Sequence, residues 1–363
     1  MGGVLPSQTI RRLMASGNIT GIDERFINPG SLDMPAADEI YRLEKTFMPQ
    51  GKETVRELLP RAGAIPHNFT TPLEVGVSYL VLLKGSIELF EHVYAYGNPK
   101  SSSGRLNLFV RAMADGMSWY DMLSPGWKGE TWMLVQPRSF PVRLSPGIPL
   151  MQFRFFDEKA FLDQTGLQVM HKESGLFFDR NGEKLALTAE RAHADALFMS
   201  IRADGGIVGW ECAGTNKVLD LSSRNGAYLP EEFSFRPVEA RNKEIVLLSD
   251  VFYILTTEES VRVSPMLSAE LRPVDVRLGE FRSHFAGFID AGWGCGKDSD
   301  GKGQPITLEI STTERQLSLR HLQPVARIRF ERMAQPPDVP YDSAPSNYTG
   351  QANAKLSKLF HCE

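Results

Sequence analysis

Cysteine is scarce in this chain. Cys212, Cys295 and Cys362 are three in 363 residues, too few and too scattered for a disulfide framework or a Cys-x-x-Cys metal site. The seven histidines are dispersed rather than grouped at ligand spacing, so they read as surface or core residues. An excess of one charge is missing as well. The 40 Lys and Arg against 44 Asp and Glu leave a formal charge of -4, which argues against nucleic-acid or membrane-surface binding, since both need an extended basic face. A local cluster of cations for a small polyanion is compatible with that balance. No stretch approaches the roughly 18 apolar residues of a membrane span, and the greasiest, residues 77–90, is broken by Lys84 and Glu88. The N-terminal stretch carries no apolar core followed by a small-residue cleavage site, so no secretory signal is expected. A soluble cytoplasmic protein without nucleic-acid or membrane partners is the consistent expectation.

What is present is β-type sequence. The length is more than twice the roughly 150-residue domain prior, which predicts two domains. Many short runs rich in Val, Ile, Phe and Tyr, among them YLVLL, TWMLVQ, LMQFRFF, PITLEIS and VARIRFE, alternate with 23 prolines and 31 glycines. That pattern predicts an all-β fold. Helices are expected only at Ser7–Ser16, capped by Ser7, and mid-chain at Lys159–Gln168 and Thr188–Met199.

An internal repeat sets the expected architecture. Residues 144–155 match 319–330 at a constant offset of 175. In the same order, residues 124–129 pair with 290–295, Lys100–Leu106 with Arg272–Leu278, and Gly30–Asp33 with Lys217–Asp220. The chain therefore reads as two copies of one β-domain, residues 1–156 and 200–335. A helical linker (157–199) joins them, and a Pro-, Ser-, Asn- and Gly-rich tail (336–363) follows.

Two segments carry chemistry. Pro99-Lys-Ser-Ser-Ser-Gly-Arg105 crowds hydroxyls and the cations Lys100 and Arg105 into seven positions, a compact oxyanion-binding cluster. Composition alone reads it equally as a solvated Ser-rich turn. Phe288-Ile-Asp-Ala-Gly-Trp-Gly294, followed after a loop by Pro305-Ile-Thr-Leu-Glu-Ile310, reads as a β-hairpin with Asp290 on one arm and Glu309 on the other. Strict alternation turns Ile306, Leu308 and Ile310 one way and Thr307 and Glu309 the other. Glu309 is then either a solvent-facing strand residue or a pocket carboxylate whose burial suits it to general-base work. The Gly-rich loop 294–303 is no phosphate-binding P-loop, because no Gly-Lys-[Ser/Thr] and helix follow it. It reads as an enlarged hairpin loop.

Taken in order, Lys-Ser-Ser-x-x-Arg, Ile-Asp-x-Gly-Trp-x-Gly and Leu-Glu resemble the dCTP deaminases of the trimeric dUTPase superfamily. Asn347-Tyr-Thr-Gly-Gln351 with Leu356-Ser-Lys358 is similar to that family's tail motif. The resemblance implies distorted jelly-roll β-barrel domains and hydrolysis of dCTP to dUTP and ammonia in pyrimidine deoxynucleotide metabolism. It implies that Glu309 activates the water that attacks cytosine C4. Asp290 would lie in the base- and sugar-recognising hairpin, and Lys100, Ser101, Ser102 and Arg105 would hold the triphosphate. Tyr348, Gln351 and Lys358 would belong to a tail that closes over the phosphates. Mg²⁺ would arrive on the nucleotide rather than in a protein cage; dTTP is a candidate inhibitor and a homo-oligomer with composite sites the expected assembly.

The two copies depart from the family pattern in complementary ways. Leu134 stands 175 residues before Glu309, and Ser124 takes the place of Asp290. In the second copy Pro273 and Val274 replace Ser101 and Ser102, leaving only Arg272 and Arg277 of its phosphate loop. One composite site is therefore expected, as in the single-chain herpesvirus dUTPases that this arrangement resembles. Zinc deamination would require a His-x-Glu helix and a Pro-Cys-x-x-Cys turn; neither occurs, and His193-Ala-Asp195 is the nearest approach. Two other functions stay open at this point: a dUTP pyrophosphatase or bifunctional deaminase–dUTPase, and a nucleotide-binding protein without turnover.

Overall fold

The computed structural model describes residues 2–188, 191–193, 196–274, 276–279, 281–283, 287–297, 300–343, 346 and 348–361. Its architecture is all-β and repeats. In the first half, strand Leu32–Leu43 lies between Ser78–Leu83 and Pro149–Phe156; beyond them run Thr131–Pro137 and Leu108–Ala114 on one side and Tyr94–Pro99 on the other. In the second half, Pro324–Arg332 lies between Ala196–Ser200 and Leu267–Arg272, while Gln304–Thr312 lies between Phe252–Val261 and Phe281–Ser283. The 175-residue offset carries Pro149 onto Pro324 and Thr131 onto Ile306, so it joins equivalent strands.

Two of the four sequence pairings do not hold in the structure. Asn98 and Arg272 pair with the equivalent residues Gln152 and Arg327, so Arg272 matches Asn98 rather than Lys100. Leu32 and Asp33 pair with Phe153 and Gln152, whereas Leu197 and Phe198 pair with Ile328 and Arg327. The counterpart of Leu32–Asp33 is thus Leu197–Phe198, within strand Ala196–Ser200. Leu219–Asp220 instead pairs in parallel with Val142–Arg143 of the first half.

The helix predictions fared unevenly. Ser7–Ala15 is helical, but its cap is Pro6; Ser7 is the first helical residue, and its N–H donates to the Pro29 carbonyl. The mid-chain helix spans Gln164–Ser174, later than expected, because the Asp163 side chain accepts from the Gly166 N–H and sets its start there. The helix expected over 188–199 is replaced by strands Ala192–His193 and Ala196–Ser200; residues 189, 190, 194 and 195 lie outside the described set. Leu197 and Met199 are fully buried and pair with Ile328 and Ala326, so cross-strand packing overrides the local helical pattern. Residues 157–199 are not a free linker either: Leu162, Leu167, Leu176 and Phe177 belong to the second apolar core.

The cores interpenetrate. Cys212, Phe233, Phe235, Phe252 and Ile254 of the second half pack into the first core, and so do Leu356, Leu359 and Phe360 of the tail. Among the described residues no helix is long and apolar enough to cross a membrane.

Candidate functional site

The 288–310 segment is not a hairpin. Phe288–Ile289 pairs with Leu267–Arg272, whereas Gln304–Thr312 pairs with Phe252–Val261, in a different sheet. The chain turns between them at Gly292, whose φ of 95° is a left-handed conformation. A Cβ there would stand 2.5 Å from Pro340 and 2.8 Å from the Tyr341 nitrogen, so the glycine also admits the tail. Asp290 and Glu309 therefore reach one cavity from two sheets. Alternation holds for most of the second strand: Leu308 and Ile310 lie in the core and Thr307 and Glu309 line the cavity, while Ile306 at its start touches both. Both faces are buried, and Glu309 is only 4% exposed.

The cavity measures about 290 Å³, at the lower edge of ordinary small-molecule sites. The first half supplies Lys100, Ser101, Ser102 and Arg105 to its wall. These follow strand Tyr94–Pro99 and form the helical turn Ser101–Gly104, which the Lys100 N–H ties to the Leu150 carbonyl at 2.9 Å. Gly104 faces Glu309 so closely that a Cβ on it would collide with both carboxylate oxygens. The phosphate-loop candidate of one half thus abuts the carboxylate of the other.

Arg105 is buried and engaged by the tail. It donates to the Lys355 carbonyl at 2.7 Å and to Gln351 Oε1 at 3.3 Å, and its guanidinium lies 3.8 Å from the Tyr348 ring centroid. Gln351 in turn donates to the Pro305 carbonyl at 2.7 Å, and its N–H donates to Gln304 Oε1 at 3.1 Å. The Ser357 hydroxyl donates to the Ser102 carbonyl at 3.0 Å. Tyr348, Gln351 and Lys358 all line the cavity, so the tail forms its third wall. Asn347 lies outside the described residues.

Electrostatics differ from wall to wall. Burial pushes the Asp290 carboxyl up to about 7; the Asp33 charge adds to this, and the Gly30 N–H, Lys100 and Arg154 oppose it. That Gly30 N–H donates to Asp290 Oδ1 at 2.8 Å. Burial, then the neighbouring Lys100 charge, holds Lys358 below the usual lysine range. Burial likewise raises the Tyr348 phenol and lifts Tyr341 to about 12. The arrangement can hold a polyanion at Lys100, Lys358 and the serine hydroxyls, with carboxylates in the same cavity for proton chemistry.

Arg272 and Arg277 do not join this set. Arg272 pairs with Glu270 at 2.9 Å, and Arg277 is exposed on the turn Val276–Leu278; neither lines the cavity. Of strand Leu267–Arg272, Leu271 rather than Arg272 lines the cavity. Conversely, Asn28, Gln152, Phe288, Trp293 and Tyr341 line the cavity without having been singled out individually. Only tertiary proximity marks Asn28 and Gln152, which sit in unremarkable sequence. No group of three or more His, Cys, Asp or Glu able to hold a metal occurs among the described residues.

With this geometry in view, comparison with known proteins is informative. Residues 1–159 match the profile of the 2'-deoxycytidine 5'-triphosphate deaminase N-terminal domain, and residues 164–360 match that of its C-terminal domain. Among solved structures, the chain is similar to a crystal structure of 2'-deoxycytidine 5'-triphosphate deaminase from Agrobacterium tumefaciens. The two share 31% identity with a TM-score of 0.84, over 93% of this chain and 97% of the other. No curated protein sequence matches.

Proposed function

Since this chain belongs to the 2'-deoxycytidine 5'-triphosphate deaminase family and is an enzyme that deaminates dCTP, we propose that it does so at the single composite cavity, with Glu309 activating water. The observation that carries this reading is the contact of the Ser101–Gly104 turn with the Glu309 carboxylate, which joins the two halves' complementary residues within one chain.

On this reading the triphosphate lies against Lys100, Ser101, Ser102 and Lys358, with Mg²⁺ carried in on the phosphates, and the cytosine ring points to Glu309. Glu309 takes a proton from water as the oxygen bonds to C4. That proton passes to ring N3 as the C4=N3 double bond opens. The carboxyl then carries the proton of the new C4 hydroxyl to the exocyclic amine, the C4–N bond breaks as C4=O forms, and dUTP and ammonia result. Water activation rests on the carboxylate, so no metal is assigned to the hydrolytic step. Tyr348 and Gln351 hold Arg105 in the wall and exclude bulk water. dTTP carries the same triphosphate and would compete for the same wall.

Glu309→Gln is expected to lose turnover by about 10³-fold or more while keeping dCTP affinity, because the base is removed and the phosphate wall is untouched. Steady-state kinetics with calorimetric binding checks this; retained turnover would sink the assignment. Analysis of the same reaction's products separates deamination alone from a bifunctional deaminase–dUTPase, which would yield dUMP and pyrophosphate.

A further inference from the structure

Gly30-Ser-Leu-Asp33 has no counterpart at Lys217–Asp220 and takes no part in the chemistry above, yet its polar groups end on three parts of the cavity wall. The turn is closed by the Asn28 N–H donating to the Ser31 carbonyl at 2.8 Å. The Gly30 N–H donates to Asp290 Oδ1, and the Ser31 hydroxyl donates to Gln152 Oε1 at 2.8 Å. Asp33 itself is 6% exposed. One of its oxygens accepts from Asn28 Nδ2 at 2.9 Å, and the other forms an ion pair with Lys100.

Asn28, Lys100, Gln152 and Asp290 line the cavity, and Asp33 stands behind them. A flexible lysine stem delivers its ammonium to one place only if something holds it there, and a buried carboxylate does so by charge and hydrogen bond together. We propose that Asp33 is a positioning residue of the deamination site, which aims Lys100 at the bound nucleotide. This rests on the reading that the cavity holds dCTP.

The same carboxylate acts on Asp290. The charged and titratable groups facing Asp290 are Asp33 and Lys100 from the first half's turn and loop, Arg154 from strand Pro149–Phe156, and Tyr341 from the tail. Among these Asp33 is the one that raises the Asp290 carboxyl by its charge, so its removal favours ionisation of Asp290 at lower pH.

The test is a double-mutant cycle in the full chain, read by steady-state kinetics with dCTP. Asp33→Asn is expected to raise KM about tenfold with kcat nearly unchanged, and Lys100→Met to do the same. The double variant should be no worse than Lys100→Met alone, because Asp33 acts through Lys100. The alkaline limb of the KM profile should also move to lower pH in Asp33→Asn, a change that a merely structural role would not produce. Additive losses, an unmoved limb, or an effect confined to kcat would overturn the proposal. If Lys100→Met leaves KM unchanged, the cavity reading itself fails; if only Lys100→Met has an effect, the Asp33 role alone fails. Should Asp33→Asn fail to fold, comparing the neutral Asp33→Asn/Lys100→Met pair with Lys100→Met decides, since that pair leaves no buried charge unmatched.

Discussion

Glu309 and Leu134 occupy matching positions on matching strands, and their surroundings explain why only one can be a base. Glu309 pairs with Ile254 and lines a cavity; Leu134 pairs with Leu80 and lies in an apolar cluster with Trp132, Val55, Met113 and Ala62. Trp132 stands where the second half has Thr307, so the corresponding space is filled with hydrocarbon. Asp290 makes a prediction of its own at this scale. Its carboxyl sits at about 7 in the folded protein, against about 3.9 in an unfolded chain. The folded state therefore binds the extra proton between these values. Stability is fully present below about pH 4, falls as pH rises through the interval, and levels off above about 7. Asp290→Asn keeps an acceptor for the Gly30 N–H and removes this slope. Between pH 5 and pH 8 the parent should lose on the order of 3 kcal/mol that the variant keeps, measured by urea-denaturation curves at the two pH values. Parallel pH dependence in the two proteins would refute it.

Among the elements, the tail departs most from its sequence. Its composition suggests a loose strap, yet Leu356, Leu359 and Phe360 are buried in the first core. The Gly226 and Tyr228 N–H groups donate to the Lys358 and Leu359 carbonyls, and the His361 N–H donates back to Tyr228. The Phe360 ring lies 4.9 Å from Phe235 and 5.8 Å from Phe233. Upstream, Asp342 accepts from the Gly296 N–H at 3.0 Å and from Gln304 Nε2 at 3.2 Å, so the stretch across the cavity is tied at both ends. Phe360→Ala should destabilise the protein by about 3–5 kcal/mol, the range for deleting a buried phenyl ring. Proteolysis within 341–358 should become faster as the anchor loosens. A loss under about 1 kcal/mol in chemical denaturation would show the anchor to be dispensable.

Across the whole molecule, duplication has been followed by division of labour. The cavity takes Lys100, Ser101, Ser102 and Arg105 from one half, Asp290 and Glu309 from the other and its third wall from the tail. The equivalent face of the first half is covered by helix Val55–Leu58 and its apolar neighbours. One nucleotide per chain is the expected stoichiometry, with hyperbolic rather than sigmoidal saturation. Titration calorimetry with dCTP and the Glu309→Gln variant checks it; two sites per chain would mean that the filled face can open.

Much of this was legible in the residues alone. Alternation in Ile306–Ile310 placed Glu309 and Thr307 on one face, and the 175-residue offset found the duplicated strands together with the loss of the first-half carboxylate at Leu134. Both are local or periodic properties, which a pleated strand imposes on sequence directly. Contacts between distant segments were not legible. Nothing near Asn28, Asp33 or Gln152 announces that they meet Lys100 and Asp290, and nothing in 188–199 outweighs its helical pattern except the strand it pairs with. The sequence by itself determined the β class, the repeat and the division of motifs between its copies. Only the tertiary structure decided which sheet carries each carboxylate, that the tail is a wall with a buried anchor, and that the complementary halves meet within one chain. The physical reason is that pairing partners and buried charges are chosen by long-range packing, whose energy no short stretch of chain encodes.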